Sequence, residues 1–96
     1  MAQVIWTQPA TEEIENIGNY IEEFSEYYAS IVVKKLYNEV SLLRVFPLMG
    51  RIIPELGEER FRELIRENYR IMYEVIDEDI VLIQRVIHSS MNFKSI

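Results

Sequence analysis

The side chains best suited to chemistry in this 96-residue chain are its arginines, and their distribution is uneven. A guanidinium binds phosphate or carboxylate through two parallel hydrogen bonds. All of the arginines lie within residues 41–96: Arg44, Arg51, Arg60, Arg62, Arg66, Arg70 and Arg85. His88 is the single histidine. A surface that binds anionic partners is one interpretation of this half of the chain; ordinary solvation with internal ion pairs is the other.

The first half of the chain has the opposite character. Residues 1–40 contain seven glutamates against Lys34 and Lys35, a net charge of −5, and the whole chain has a net charge of −6. This balance argues against a general nucleic-acid binder, so we expect no specific binding to duplex DNA by this chain alone. The absence of cysteine excludes disulfides, cysteine-ligated zinc and thiol nucleophiles. No apolar run approaches the ~20 residues of a membrane helix, so we expect a single domain over residues 1–96 in the cytoplasm.

Two helices are predicted after a short β-prone segment at residues 3–6. Thr7 or Gln8 can cap the first helix, with Pro9 tolerated in its first turn. Ser25 can cap the second, which Pro47 and Gly50 should end. Because the connection is very short, the helices should form an antiparallel hairpin. The apolar stripes have helical spacing: Ala10, Ile14, Ile17, Ile21 and Phe24, then Ala29, Val32, Val33, Leu36, Val40 and Leu43.

Beyond residues 47–60, which contain two prolines and two glycines and are predicted to form a loop, the apolar period changes to two. Three β-rich runs at residues 61–66, 69–76 and 80–88 are separated by short polar connections, which predicts an antiparallel meander. Residues 89–96 form a polar tail. The predicted fold class is α+β, in the order β-α-α-β-β-β, with the helical hairpin packed on an antiparallel sheet.

The register of the meander decides which candidate residues meet. If Glu67 and Asn68 form a two-residue turn, paired positions in the first two strands sum to 135, which puts Arg70 on the face away from the helices with Glu63 diagonal to it. Arg70 is then expected to be exposed. The face of His88 depends on the next turn: a three-residue loop at 77–79 places it with Arg70, and a two-residue loop at 78–79 places it opposite.

Several short motifs occur in order along nearly the whole chain. They are Trp6-Thr7, residues 17–21 (IGNYI), 46–51 (FPLMGR), 54–56 (PEL), 62–64 (REL), 69–75 (YRIMYEV) and 86–88 (VIH). Together they resemble the RelE/ParE superfamily of toxins from type II toxin–antitoxin modules. Each motif alone is weak, and the loop and strand motifs are more similar to ParE than to RelE.

The resemblance implies a toxin that arrests growth, contributes to plasmid stabilisation and forms a hetero-oligomer with its cognate antitoxin. The antitoxin is expected to bind along the helical hairpin or by adding a strand to the edge of the sheet. ParE-like members inhibit DNA gyrase, whereas RelE-like members cut mRNA on the ribosome as metal-independent endoribonucleases. A third alternative is a non-toxic relative that only binds an antitoxin. None of these activities implies a cofactor. The low pI of about 4.8 and a tail without arginine or tyrosine favour the ParE-like alternative over one that binds the ribosome.

For the nuclease alternative, cleavage through the 2′-hydroxyl needs a base, cationic donors and an acid. The resemblance assigns Arg70 to phosphate binding and places His88 where some nuclease members carry a catalytic histidine, while Glu63 or Glu74 can supply a base. The structural alternatives are that Arg70 pairs with Glu63 or Glu74 across strands and that His88 packs against Tyr69. The predicted target-binding residues are Arg51, Arg62, Arg66 and Arg85.

Overall fold

The computed structural model describes residues 1–91 and 93, and its first feature is the predicted helical hairpin. Strand β1 (Gln3–Trp6) leads into helix α1 (Gln8–Glu22), which is followed by α2 (Glu26–Ser41). The Thr7 hydroxyl accepts from the N–H of Ala10 and donates to the carbonyl of Ile83 at 2.7 Å, so the cap also ties α1 to the sheet. Ser25 caps α2 by accepting from Tyr28 at 3.0 Å. Both predicted caps are confirmed.

The helices are shorter than their apolar stripes suggested. Helix α1 ends at Glu22, so the chain turns before Phe24 and leaves that side chain exposed. Placing Phe24 on the buried stripe was wrong. Helix α2 ends at Ser41 and passes into one 3₁₀ turn over Leu42–Arg44, several residues before Pro47.

The remaining strands are β2 (Arg51–Ile52), β3 (Phe61–Arg66), β4 (Tyr69–Val75) and β5 (Ile80–His88). They form one sheet in the order β1-β5-β4-β3-β2. The predicted α+β class is confirmed, with two refinements. Strand β1 pairs with β5 in parallel, and the predicted loop contains the two-residue strand β2, antiparallel to β3.

The β3–β4 turn has the predicted register. Phe61 pairs with Glu74 and Arg66 with Tyr69, so paired positions sum to 135. Glu67 and Asn68 have φ values of 53° and 69°, the left-handed conformation that a tight two-residue hairpin turn requires. This turn fixes which side chains of β3 and β4 share a face.

The β4–β5 pairing combines both of the predicted alternatives. Residues 77–79 form a three-residue loop, closed by a hydrogen bond from the N–H of Ile76 to the carbonyl of Ile80. Further along, Tyr73 pairs with Ile83 but Met72 pairs with Arg85, so Gln84 is an extra residue in a β-bulge. The bulge reverses the faces of the rest of β5.

Each face of the sheet carries its own apolar cluster. The helix face packs under α1 and α2, and its largest fully buried side chain is Tyr73. The opposite side, called the far face below, holds a smaller cluster of Ile53, Phe61, Met72, Ile87 and Phe93. The tail residues 92 and 94–96 lie outside the described residues. Within the described part of the chain, no helix has both the length and the apolar character needed to cross a membrane.

Candidate functional site

The far face contains a chain of four charged residues centred on Arg70. The Arg70 Nε donates to Glu63 Oε1 at 2.7 Å, and its two terminal nitrogens donate to the two carboxylate oxygens of Glu55 at 2.7 and 2.8 Å. Glu63 Oε2 accepts from Arg51 Nε at 2.7 Å. Two guanidinium groups and two carboxylates therefore balance each other in one network.

Arg70 lies on the predicted face with Glu63 diagonal to it, but the prediction that it is exposed was wrong. Arg70 is only 5% exposed and Glu63 only 1%. The sheet is covered at this point because Ile53 packs into the far-face cluster, which brings Glu55 over the guanidinium, and Phe93 packs beside them. The face that was predicted to expose Arg70 is therefore closed at this residue.

The network holds both partners in their charged forms. The hydrogen bonds from Arg70, assisted by a backbone hydrogen bond involving Phe93, lower the pKa of Glu55 to about 2 despite the opposing effect of burial. The same contacts with Glu55 and then with Glu63 raise the pKa of Arg70. Because Nε and both terminal nitrogens already donate to carboxylates, a phosphate would have to displace Glu55 to gain a bidentate grip on this arginine.

His88 lies on the other side of the sheet from Arg70. The bulge at Gln84 pairs His88 with Tyr69 on the helix face, where the two rings stand edge to face with centroids 5.6 Å apart. Its Nδ1 lies 2.7 Å from the Ser90 hydroxyl. The alternative in which His88 packs against Tyr69 is confirmed, and the one that places it on Arg70's face is wrong. Glu63 and Arg70 meet, but His88 does not join them.

Each of the four arginines predicted to bind a target has an acceptor within the chain. Arg51 pairs with Glu63, and Arg62 donates to the carbonyls of Leu48, Gly50 and Glu59. The other two reach the helical hairpin: Arg66 pairs with Glu39 at 3.0 Å, and Arg85 pairs with Glu13 at 2.8 Å. The contact with Glu13 raises the pKa of Arg85. Their role in binding a target stays a prediction.

The second candidate base, after Glu63, is Glu74. Glu74 accepts from Gln84 at 3.2 Å and lies 3.5 Å from Arg60, so it is not part of the Arg70 network. Among residues 1–91 and 93, no cluster of three His, Asp or Glu side chains has a geometry that suits a metal ion.

Sequence reasoning missed a groove of about 420 Å³ between α1 and α2. Its floor includes Ile14, Gly18, Ala29 and Val33, and its rim carries three carboxylates: Glu15, Glu22 and Glu26. Gly18 is part of the packing, because a Cβ there would lie 3.2 Å from Val33 Cγ2. Two signals point to this site in the sequence: a glycine inside an amphipathic helix, and the absence of any basic residue across residues 8–33.

Known proteins are similar to this chain along most of its length. The family described as "ParE toxin of type II toxin-antitoxin system, parDE" matches residues 4–93. A protein named Toxin RelE2 from Caulobacter vibrioides is 34% identical over 91 residues, which cover 94% of this chain and 98% of that protein. In the solved structure titled "Chromosomal ParDE TA system from P. aeruginosa", one chain superimposes with a TM-score of 0.75 at 20% identity, covering 92% of this chain and 96% of that one. The last match supports the fold alone.

Proposed function

This chain belongs to the ParE toxin family of type II toxin–antitoxin systems, and from that premise we propose that it inhibits DNA gyrase in the cytoplasm and is neutralised by a cognate antitoxin. In this proposal the chain acts by binding rather than by cutting a nucleic acid.

The arrangement of Arg70 and His88 is the observation that carries the choice of a binding inhibitor. A nuclease needs a cationic phosphate site and an acid or base on the same surface. Here Arg70 is engaged by Glu55 and Glu63, and His88 lies on the opposite face. The net charge of −6 also disfavours a site built from ribosomal RNA, and it supports our proposal that the chain alone does not bind duplex DNA.

A ribosome-dependent endoribonuclease is the second candidate, because the relative at 34% identity carries the name Toxin RelE2. In that case Glu55 would have to leave Arg70 before a phosphate could bind. A non-toxic relative that only binds antitoxin remains the third alternative.

The deciding experiment is induction of the chain in cells that lack its antitoxin, with gyrase and translation measured in parallel. We expect growth arrest with accumulation of gyrase–DNA cleavage complexes while protein synthesis continues at first. Early appearance of mRNAs cut at ribosome-bound positions, with gyrase unaffected, would support the nuclease. Normal growth with a folded, expressed chain would support the non-toxic relative.

The antitoxin is the partner that we assign to the groove between α1 and α2. The groove combines an apolar floor with a carboxylate rim, which suits an amphipathic helix that carries basic residues. Ser30 lines the groove and is exposed, so Ser30→Trp fills it without disturbing the core.

We expect Ser30→Trp to remain toxic. Protection by the co-expressed cognate antitoxin should fall at least ~10-fold, which corresponds to a loss of about 1.4 kcal/mol in binding free energy. Lys34→Trp, on the same helix but outside the groove, is the control. Equal protection of both variants would exclude the groove as the antitoxin site.

A further inference from the structure

The turn between α1 and α2 exposes four aromatic side chains, and we call this group the hairpin tip. Tyr20 is 62% exposed, Phe24 75%, Tyr27 78% and Tyr28 53%. The rings of Tyr20 and Phe24 contact each other at a centroid distance of 5.5 Å. Exposed aromatic groups of this density are typical of protein-binding surfaces, where tyrosine supplies large contact area and a polar end.

The sheet extends the hairpin tip through Tyr69 and His88. A cavity of about 190 Å³ lies between α1, α2 and the ends of β4 and β5, and its lining includes Tyr28, Glu67, Tyr69 and His88. Burial raises the pKa of Tyr69, with smaller contributions from Tyr20 and Tyr28, so these phenols lie in one neighbourhood. Aromatic faces beside a carboxylate make a favourable site for a cationic side chain.

Three carboxylates beside the hairpin tip lack an internal cationic partner among the described residues, whereas Glu67 in the cavity pairs with Lys35 at 3.3 Å. Residues 8–33 contain six glutamates and no basic residue. Within the described part of the chain, Glu22, Glu23 and Glu26 take part in no salt bridge, whereas carboxylates such as Glu13 and Glu39 elsewhere on the hairpin pair with arginines. Glu22 and Glu23 also lie at the C-terminal end of α1, where the helix dipole disfavours negative charge.

A second apolar region provides a contrast within the same molecule. The segment after α2 exposes Leu42, Val45, Phe46 and Leu48, held in place where Tyr73 donates to the Pro47 carbonyl at 2.8 Å and accepts from the Gly50 N–H at 3.0 Å. Its nearest charged residue in sequence is Arg44. This segment is exposed and apolar, and residues 42–50 contain no acidic residue, so its sequence lacks the charge pattern of the hairpin tip.

We propose that the hairpin tip is the surface with which this toxin contacts its target protein, and that the complementary target surface is basic. One Arg or Lys side chain of the target enters the cavity between Tyr28, Tyr69 and His88, where it competes with Lys35 for the carboxylate of Glu67. The proposal rests on the proposed function, because it assumes that the chain arrests growth by binding a protein. It does not depend on whether that protein is gyrase.

We assign the hairpin tip to the target protein rather than to the antitoxin because the cavity and the antitoxin groove lie at different places in the fold. The antitoxin groove lies between the helices and is lined by Ile14, Gly18 and Val33, whereas the cavity lies between the hairpin and the sheet. The groove and the cavity share no lining residue, so they have separate floors, although Glu22 and Glu26 at the rim of the groove stand close in sequence to the aromatic residues of the hairpin tip. Separate floors allow each site to be altered alone.

The first test truncates exposed aromatics and measures growth arrest. We expect Tyr27→Ala combined with Tyr28→Ala to raise the toxin level required for arrest at least ~10-fold, as expected for hot-spot residues. Phe46→Ala is the matched control, since Phe46 is 60% exposed on the other apolar region. Thermal unfolding of each purified variant checks that folding is unchanged. Protection by the co-expressed cognate antitoxin checks that antitoxin binding is unchanged.

The second test reverses charge. Glu23→Lys should raise the toxin level required for arrest and leave the fold intact, while Glu12→Lys imposes the same change in net charge away from the hairpin tip and should leave arrest unchanged. Glu22 and Glu26 are kept because they also line the antitoxin groove. The control separates local complementarity from an effect of net charge.

The outcomes distinguish this inference from the proposed function. If the unmodified chain does not arrest growth, the proposed function is wrong and the inference fails with it. If the unmodified chain is toxic but the tip variants are equally toxic, only the inference is overturned. It is also overturned if Phe46→Ala loses toxicity instead, or if Tyr27→Ala combined with Tyr28→Ala loses antitoxin protection, because the aromatic surface would then belong to another partner.

Discussion

The far face and the hairpin tip carry charge in opposite ways. On the far face, Arg70, Glu63, Glu55 and Arg51 neutralise one another through hydrogen bonds of 2.7 to 2.8 Å, with Arg70 and Glu63 buried and the side chains of Glu55 and Arg51 partly exposed. At the hairpin tip, Glu22, Glu23 and Glu26 have no cationic partner among the described residues and stand in solvent beside exposed aromatic rings. The first arrangement is complete without a ligand, whereas the second gains from one.

This difference changes which residues are the stronger candidates for binding a partner. Arginine is the residue type best suited to binding phosphate or carboxylate, but in this chain the carboxylates that the arginines bind are internal. Tyrosine and glutamate at the hairpin tip have no obvious catalytic use, yet they remain free to contact a partner. The two regions therefore differ in whether their polar side chains are free to bind a partner, and not in the chemistry that those side chains could perform.

The largest expected effect tests whether the far-face network is structural. Replacing Glu63 with Gln removes a fully buried carboxylate that accepts from two arginines, and it should lower the free energy of unfolding by about 3 kcal/mol. Because Glu55 still neutralises Arg70, this loss of stability should lie at the lower end of the range expected when one partner of a buried ion pair is removed. Urea denaturation measures it, with Glu59→Gln as an exposed control that should change stability by less than about 0.5 kcal/mol. A Glu63→Gln variant as stable as its control would show that the network contributes little.

A smaller, pH-dependent effect is expected at Glu55. Its pKa is lowered to about 2 in the folded protein from an ordinary value of 4.5, so its stabilising contribution is complete above pH 4.5 and is lost as the pH falls towards 2. Glu55→Gln should therefore be less stable than the unmodified chain at pH 7, and the difference should shrink between pH 4.5 and 2. Urea unfolding midpoints across this range provide the measurement, with Glu59→Gln as the control. A difference that stays constant with pH would mean that the Arg70–Glu55 contact does not control stability.

The features that could be predicted from the sequence are those with a local cause. The register of β3 and β4 was predictable because a two-residue turn at Glu67 and Asn68 fixes the parity of every pair beyond it. The helix caps at Thr7 and Ser25 were predictable because their hydroxyls satisfy local backbone donors. In both cases the cause lies within a few residues of its effect.

The features that escaped prediction depend on distant residues or on single irregularities. The bulge at Gln84 has no glycine or proline to mark it, yet one extra residue moves His88 to the opposite face. The burial of Arg70 depends on Glu55 and Phe93, which approach it only in the folded chain. The groove beside Gly18 also escaped prediction, because it is lined by residues of both helices and forms only when the helices pack together.

The smallest expected effect has the opposite sign and sharpens the comparison at the hairpin tip. Glu22 and Glu23 stand at the negative end of the α1 dipole, and Glu26 stands in the first turn of α2, where the dipole favours it. Glu22→Gln with Glu23→Gln should therefore raise the free energy of unfolding by about 0.3–1 kcal/mol at low ionic strength, whereas Glu26→Gln should lower it slightly. Urea denaturation at low and high salt measures both, and salt should diminish both changes. If the double substitution instead lowered stability, the two carboxylates would be structural like those of the far face, and their availability to a partner could no longer explain their position.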